Sequence, residues 1–275
     1  MFPSGSNTNA YETTRHVAFV KALGIDLGGA SRRTTGYALM EGSDWPSLEA
    51  VGMIEVGRRP IETEVALLEA IDASAPDVVA VDAPLTLPPC LTCPSYCRGP
   101  GIDLCEIDAA REMWASGSNP AIRRPCEAEA ARLIPGLVPL PTMGLGIITA
   151  RAVTLVRRLT NRGIAPASIE RCEVLEIYPR ATLARLGRHD ERLLPRHRGE
   201  SEAKYRARVV GGLEGPICRL GLTTEQRSLL SDPGDDGGHA LDAVVAAYTG
   251  WLGVDRLEQP PDGFNLASGW IWFPR

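Results

Sequence analysis

No apolar run in these 275 residues is long enough to span a bilayer, which removes a transmembrane reading. The first residues lack the basic start and apolar centre of a secretion signal, so a loose arm over residues 1–15 and a cytoplasmic location are expected. A surplus of basic charge is also missing. The formal net charge of −5 argues against a general nucleic-acid coat. There are no internal repeats and no long low-complexity tracts, so the chain is read as one elaborated domain over 16–275. A composition of 44% hydrophobic and 23% charged residues is enough to build an ordinary buried core.

The negative total hides a basic region. Between Arg151 and Arg208 stand fourteen Lys and Arg against seven Asp and Glu, including a basic connection from Arg188 to Arg198. Acids gather instead near Asp232, Asp235 and Asp236. A basic flank beside an acidic centre suits an enzyme that grips phosphates and holds cations, and it equally suits a solvated helical surface.

Periodicity gives an α/β order. Apolar runs predict strands over Val17–Leu27, Thr34–Met40 and Ala50–Val56, then a helix over Ile61–Ser74 with Val65, Ala66, Leu68 and Ile71 inward. A short strand over Asp77–Asp82 follows. Pro84, Pro88 and Pro89 break the chain after it, and residues 84–141 read as an insertion with helical pieces near 107–115 and 127–134. A helix over Gly144–Arg162 is expected, with Ile147, Ile148, Val153, Leu155, Val156 and Leu159 inward and its arginines outward. A strand over Cys172–Tyr178 and helices over Ala181–Leu186, Ser201–Leu213 and Asp235–Leu252 complete the order, and the aromatic tail is expected to pack back on the body.

Carboxylates punctuate this order. Asp26 ends the first predicted strand before the Gly28–Gly29 turn, and Asp82 ends the fourth. If those strands are neighbours, the two Asp lie within reach of one divalent ion. His239 and Asp242, three apart on the last helix, share a face, and Asp235 joins it if the helix extends that far. Asp242 stands among Ala240, Leu241, Ala243 and Val244, where a carboxylate normally has a partner. Hard oxygen ligands of this kind suit Mg²⁺ or Mn²⁺ and the clamp used for in-line phosphodiester cleavage. Each residue also has a plainer reading: a turn cap for Asp26 or Asp82, a helix cap for Asp235, a packed histidine for His239. Arg32 and Arg33 follow the Asp26 turn and could meet a phosphate. Arg180, with Arg123, Arg124 and Glu127 from the insertion, could contribute. Glu176 reads as an extra ligand or as half of a surface salt bridge with Arg180.

Seven cysteines without a secretion signal speak for reduced thiols. Cys90, Cys93, Cys97 and Cys105 sit close enough in a Pro/Gly-rich segment to hold Zn²⁺ or an Fe–S cluster, Cys126 being a possible substitute ligand, or to remain four thiols.

Gly24-Ile25-Asp26-Leu27-Gly28 with Thr35-Gly36-Tyr37-Ala38, and His239-x-x-Asp242 in an Ala/Val-rich last helix, resemble the opening and closing motifs of RNase H-fold nucleases of the Holliday-junction-resolvase type. Val81-Asp82-Ala83-Pro84-Leu85, Arg124-x-Cys126-Glu127 and Glu176-Ile177-Tyr178-Pro179 are more similar to an uncharacterised domain-of-unknown-function family of predicted RNase H-fold nucleases. The resemblance spans about Leu23 to Trp251. It implies a mixed five-stranded RNase H-like sheet flanked by helices, metal ligation by Asp26, Asp82 and Asp242 with help from His239, and nucleic acid as substrate. Two features depart from the resolvases: they carry Glu where this chain has Asp82, and they lack the long insertion.

Three function classes follow. The first is a metal-dependent nuclease or phosphodiesterase. The second is an actin-like or sugar-kinase-like ATP-binding phosphotransferase, whose phosphate loop also reads Gly-Ile-Asp-Leu-Gly-Gly. The third is a catalytically silent nucleic-acid-binding module. No membrane partner is expected, and the sequence carries no reading of oligomeric state.

Overall fold

The computed structural model describes residues 20–29, 34–55, 60–93, 105, 107–164 and 173–275, with backbone alone at 34, 55, 60, 61, 235 and 236. The strands are β1 (Val20–Asp26), β2 (Thr34–Gly42), β3 (Ser47–Glu55), β4 (Val78–Asp82), β5 (Val174–Ile177) and β6 (Ile271–Trp272). They form one sheet in the order β3-β2-β1-β4-β5-β6. β1 to β3 run antiparallel, while β4 pairs parallel with β1 and β5, and β6 parallel with β5. The expected sheet of five strands is therefore corrected to six. The tail packs back by adding its own edge strand, two residues long and without the alternation that would mark it in the sequence.

Side-chain alternation divides the core into two layers. In β4, Val79 and Val81 pack with Leu23 and Ile25 of β1 against α1 (Pro60–Ser74) and α5 (Ile147–Thr160). Val78 and Ala80 point the other way, into a core shared by α9 (Asp235–Leu252), α6 (Pro179–Leu186), α7 (Glu202–Leu213) and the aromatic tail. Between β4 and α5 lie α2 (Pro89–Thr92), α3 (Asp108–Ala115) and α4 (Pro125–Leu133). No helix among the described residues is long and apolar enough to cross a membrane.

Helix phases differ in places from the sequence reading. In α1 the buried stripe is Thr63, Leu67, Leu68 and Ile71, and Val65 is exposed. The predicted start at Gly144 fails because Gly146, at φ 35°, separates a 3₁₀ turn over Thr142–Leu145 from α5. Ile147 consequently faces solvent, and Ala152, Leu155 and Leu159 carry the burial. A helix not anticipated, α8 (Thr224–Ser231), announces itself through a capping box between Thr223 and Gln226.

Candidate metal centre

The position of α9 follows from two glycines. A Cβ on Gly24 would collide with the Ala243 carbonyl oxygen, and one on Gly36 with the His239 carbonyl oxygen, so β1 and β2 admit the helix backbone only because both residues lack side chains. Gly29 is not used in that way: a Cβ there would only touch Ile148.

Asp26 and Asp82 are direct partners in the parallel β1–β4 register. By alternation each shares the face of Ala22 and Ala80, the face that α9 covers. Asp242, one turn along α9 from the Gly36 contact, completes the group. Carboxylate oxygens of Asp26, Asp82 and Asp242 lie within 4.8 Å of one another, and among the described residues no other set of three or more His, Cys, Asp or Glu ligand atoms could hold an ion. His239 Nδ1 stands 2.5 Å from Asp26 Oδ2, where an Nδ1–H donates to the carboxylate. That leaves the second Asp26 oxygen for a ligand.

Three carboxylates this close in a partly buried site repel one another. Burial, then the Asp26, Asp242 and Glu176 charges, hold the Asp82 carboxyl well above the usual carboxylate range. Burial and Asp26 push Asp242 up to about 7, against the opposing pull of His239 and Arg206. The site is short of positive charge. A hard divalent cation, with its preference for carboxylate oxygen, supplies it, so the donor set fits Mg²⁺ or Mn²⁺.

Asp82 and Asp242 line a cleft of about 670 Å³ together with Arg180, Arg196, His197 and Arg198 and with Tyr178 and Tyr205. Arg180 thus shares the cleft with the carboxylates, and within the basic connection from Arg188 to Arg198 it is Arg196, His197 and Arg198 that reach it. Arg196 is partly engaged, donating to Glu202 and to the Glu200 carbonyl.

The remaining candidates divide. Glu176 shares its sheet face with Val174, opposite to Leu175 and Ile177, and so points away from α9. It is 5% exposed, and its partner is Arg124, not Arg180: Arg124 Nη1 and Nη2 donate to its two oxygens at 2.6 and 2.5 Å. Arg124 is 1% exposed and donates further to Thr142, Thr86 and Glu127, which commits the guanidinium to the protein and not to a phosphate. Arg32, Arg33 and Cys97 lie outside the described residues. Asp235 opens α9, its side chain outside the description. Cys90, Cys93 and Cys105 do not by themselves form an ion-holding group, and Cys105 Sγ contacts the Ile107 carbonyl. Cys126 is fully buried beside Arg124, and burial pushes its thiol pKa up, an inert setting for a ligand.

Two arginines missed in the sequence brace the centre. Arg206 donates to the Asp232 and Gly234 carbonyls just before α9 and to Glu202. Arg151, expected outward on α5, turns back to Glu64, the Gly28 carbonyl and Thr35, which fixes the chain after Asp26.

A family profile described as "Protein of unknown function (DUF429)" matches residues 24–264, from the Gly24 contact to beyond α9. No curated protein matches the chain. Among solved structures, the chain is similar to the yeast mitochondrial Holliday junction resolvase Ydc2, at 10% identity and TM-score 0.43, covering 85% of this chain and 78% of that one.

Proposed function

The chain belongs to the DUF429 family, and from the geometry of its carboxylates we propose that it is a divalent-metal-dependent nuclease or phosphodiesterase. The observation that carries this reading is the meeting of Asp26, Asp82 and Asp242 within 4.8 Å, two of them, Asp82 and Asp242, lining a cleft that also holds Arg180, Arg196 and Arg198. These three residues would hold Mg²⁺ or Mn²⁺. When bound, such a cation activates water and neutralises charge developing on a phosphoryl group.

The chain's own groups do the rest. His239 holds one oxygen of Asp26, so the carboxylate keeps a single orientation toward the ion. Arg180 and Arg198, in the lining of the same cleft, offer guanidinium donors to phosphate oxygens, which would orient the diester and draw polyanions into the cleft. The placement of carboxylates and arginines around one cleft suits metal-assisted chemistry at a phosphate. It also favours a catalyst over a silent binding module, since a merely binding surface gains nothing from three repelling carboxylates. The Zn²⁺ or Fe–S reading of Cys90, Cys93, Cys97 and Cys105 stands as a separate proposal, tested by metal analysis of wild type and a Cys90→Ser variant.

Cleavage of a panel of single-stranded, double-stranded and branched DNA and RNA, with Mg²⁺ or Mn²⁺ added, tests the reading. Wild type should cleave at least one member, and Asp26→Asn and Asp242→Asn should fold and lose at least about a hundredfold in rate. Unchanged cleavage by both variants would overturn it.

A further inference from the structure

The motifs Arg124-x-Cys126-Glu127 and Glu176-Ile177-Tyr178-Pro179 supply none of the three proposed metal ligands. Their charged members nevertheless share one cavity of about 170 Å³ with Asp26 and Asp82. In the β4–β5 register Glu176 is the partner of Val81, the residue before Asp82. Its Oε2 accepts from the Leu85 amide, three residues after Asp82, at 2.9 Å. Arg124 Nη1 donates to the Thr86 hydroxyl at 3.1 Å, and that hydroxyl donates to the Ser268 carbonyl at 2.9 Å. The chain is thus held on both sides of Asp82, by strand pairing before it and by Glu176 and Arg124 after it. Between these points Pro84 has a fixed φ, which leaves the turn few other courses once Leu85 and Thr86 are bonded.

Stability alone does not account for this arrangement. Arg124 and Glu176 are 1% and 5% exposed, and apolar residues of the same volume commonly hold two elements together as well as a buried ion pair does. What apolar residues cannot supply is an acceptor for the Leu85 amide and a donor to Thr86. Charge-assisted hydrogen bonds fix an orientation, whereas apolar burial is non-directional. We propose that Arg124 and Glu176 are positioning residues of the metal centre, which fix the turn after Asp82 so that its carboxylate stays within reach of the ion shared with Asp26 and Asp242. The inference rests on the metal-dependent reading and extends it from the ligands to the residues that aim one of them. His239 does the corresponding work for Asp26 by direct contact. Groups that orient a metal ligand commonly govern about ten- to a hundredfold of metal affinity.

Isothermal titration with Mn²⁺, set beside thermal unfolding, separates positioning from support and requires no turnover. The double variant Arg124→Met/Glu176→Leu removes both charges together, so neither is left alone in the interior. It should melt well above Arg124→Met, yet bind Mn²⁺ at least about tenfold more weakly than wild type. Ile71→Ala is the control: Ile71 is 1% exposed and stands in α1 shortly before β4 begins, at the end of that strand away from Asp82. It should lower the melting temperature and leave Mn²⁺ affinity unchanged. If the double variant does not fold, Thr86→Val carries the test, because it keeps the shape and removes only the hydroxyl. It should weaken Mn²⁺ binding at least about threefold. Wild-type Mn²⁺ affinity in the double variant, or in Thr86→Val where only that variant folds, would overturn the positioning role and leave the metal centre standing. An equal loss of affinity in Ile71→Ala would do the same. No Mn²⁺ binding by wild type, or equal binding by Asp82→Asn, would instead remove the metal centre itself and the positioning role with it.

Discussion

Asp242 shows most plainly how a single residue's surroundings decide its chemistry. Its pKa is raised to about 7, mainly by burial and by Asp26. A carboxyl group with a folded pKa above its unfolded value contributes stability that is fully present below about pH 4 and lost as pH rises through about 7. The metal-free protein should accordingly lose thermal stability from about pH 4 to about pH 7 and level off above that, and Asp242→Asn should flatten that loss. A divalent ion reverses the sign, because it competes with protons for the same oxygens. Added Mn²⁺ should raise Tm more at pH 8 than at pH 6, as differential scanning fluorimetry can show, and equal shifts at the two values would contradict the assignment. Asp26, Asp82 and Asp242 were legible in the sequence, since strand ends and an apolar helical setting are local signals. Glu176 was half legible. The alternation of Val174, Leu175 and Ile177 gives its face, but its partner Arg124 comes from a segment 52 residues away and leaves no local trace. Removing that partner with Arg124→Met should cost about 3–5 kcal/mol in urea unfolding, because it strands a buried carboxylate. Arg124→Lys should recover only part of this, since Lys cannot make the bidentate contact.

Among the elements, α9 governs the site. It lies on the sheet where Gly24 and Gly36 leave its backbone room, and this contact sets where His239 and Asp242 meet the strand ends. Gly36→Val should lower stability by about 1–3 kcal/mol or more through overpacking, and it should also abolish Mn²⁺-induced stabilisation by lifting His239 from Asp26. Loss of stability with full metal response would show that the ligands are placed by something else. The span of α9 was readable to the residue, because its small apolar run begins after a Gly-rich turn and ends at Gly253. The phase of α5 was not. Gly146 and the preceding 3₁₀ turn shift its start by three residues, so the buried stripe moves and Arg151 swings toward the Asp26 turn. Long arginines such as Arg151 and Arg206 reach across elements, and no spacing rule announces their targets. β6 escaped for a related reason: a two-residue strand gains its identity from the β5 edge it joins.

At the scale of the whole molecule, a net charge of −5 coexists with a cleft lined by arginines as well as carboxylates. Overall charge thus speaks for colloidal behaviour, while the cleft decides recognition. Nucleic-acid binding should weaken steeply with salt, and the double variant Arg180→Ala/Arg198→Ala should reduce the slope of log K against log salt by about 1–2 without changing sequence preference. An unaltered slope would move the phosphate path elsewhere. The central claim is that three carboxylates from β1, β4 and α9 share one divalent cation. A crystal structure of the Mn²⁺-soaked protein, with anomalous data collected at the manganese edge, tests it most directly. The account predicts an anomalous peak coordinated by oxygens of Asp26, Asp82 and Asp242, with His239 still on the outer oxygen of Asp26. A structure in which manganese binds elsewhere, or in which these carboxylates stand too far apart to share an ion, would contradict it.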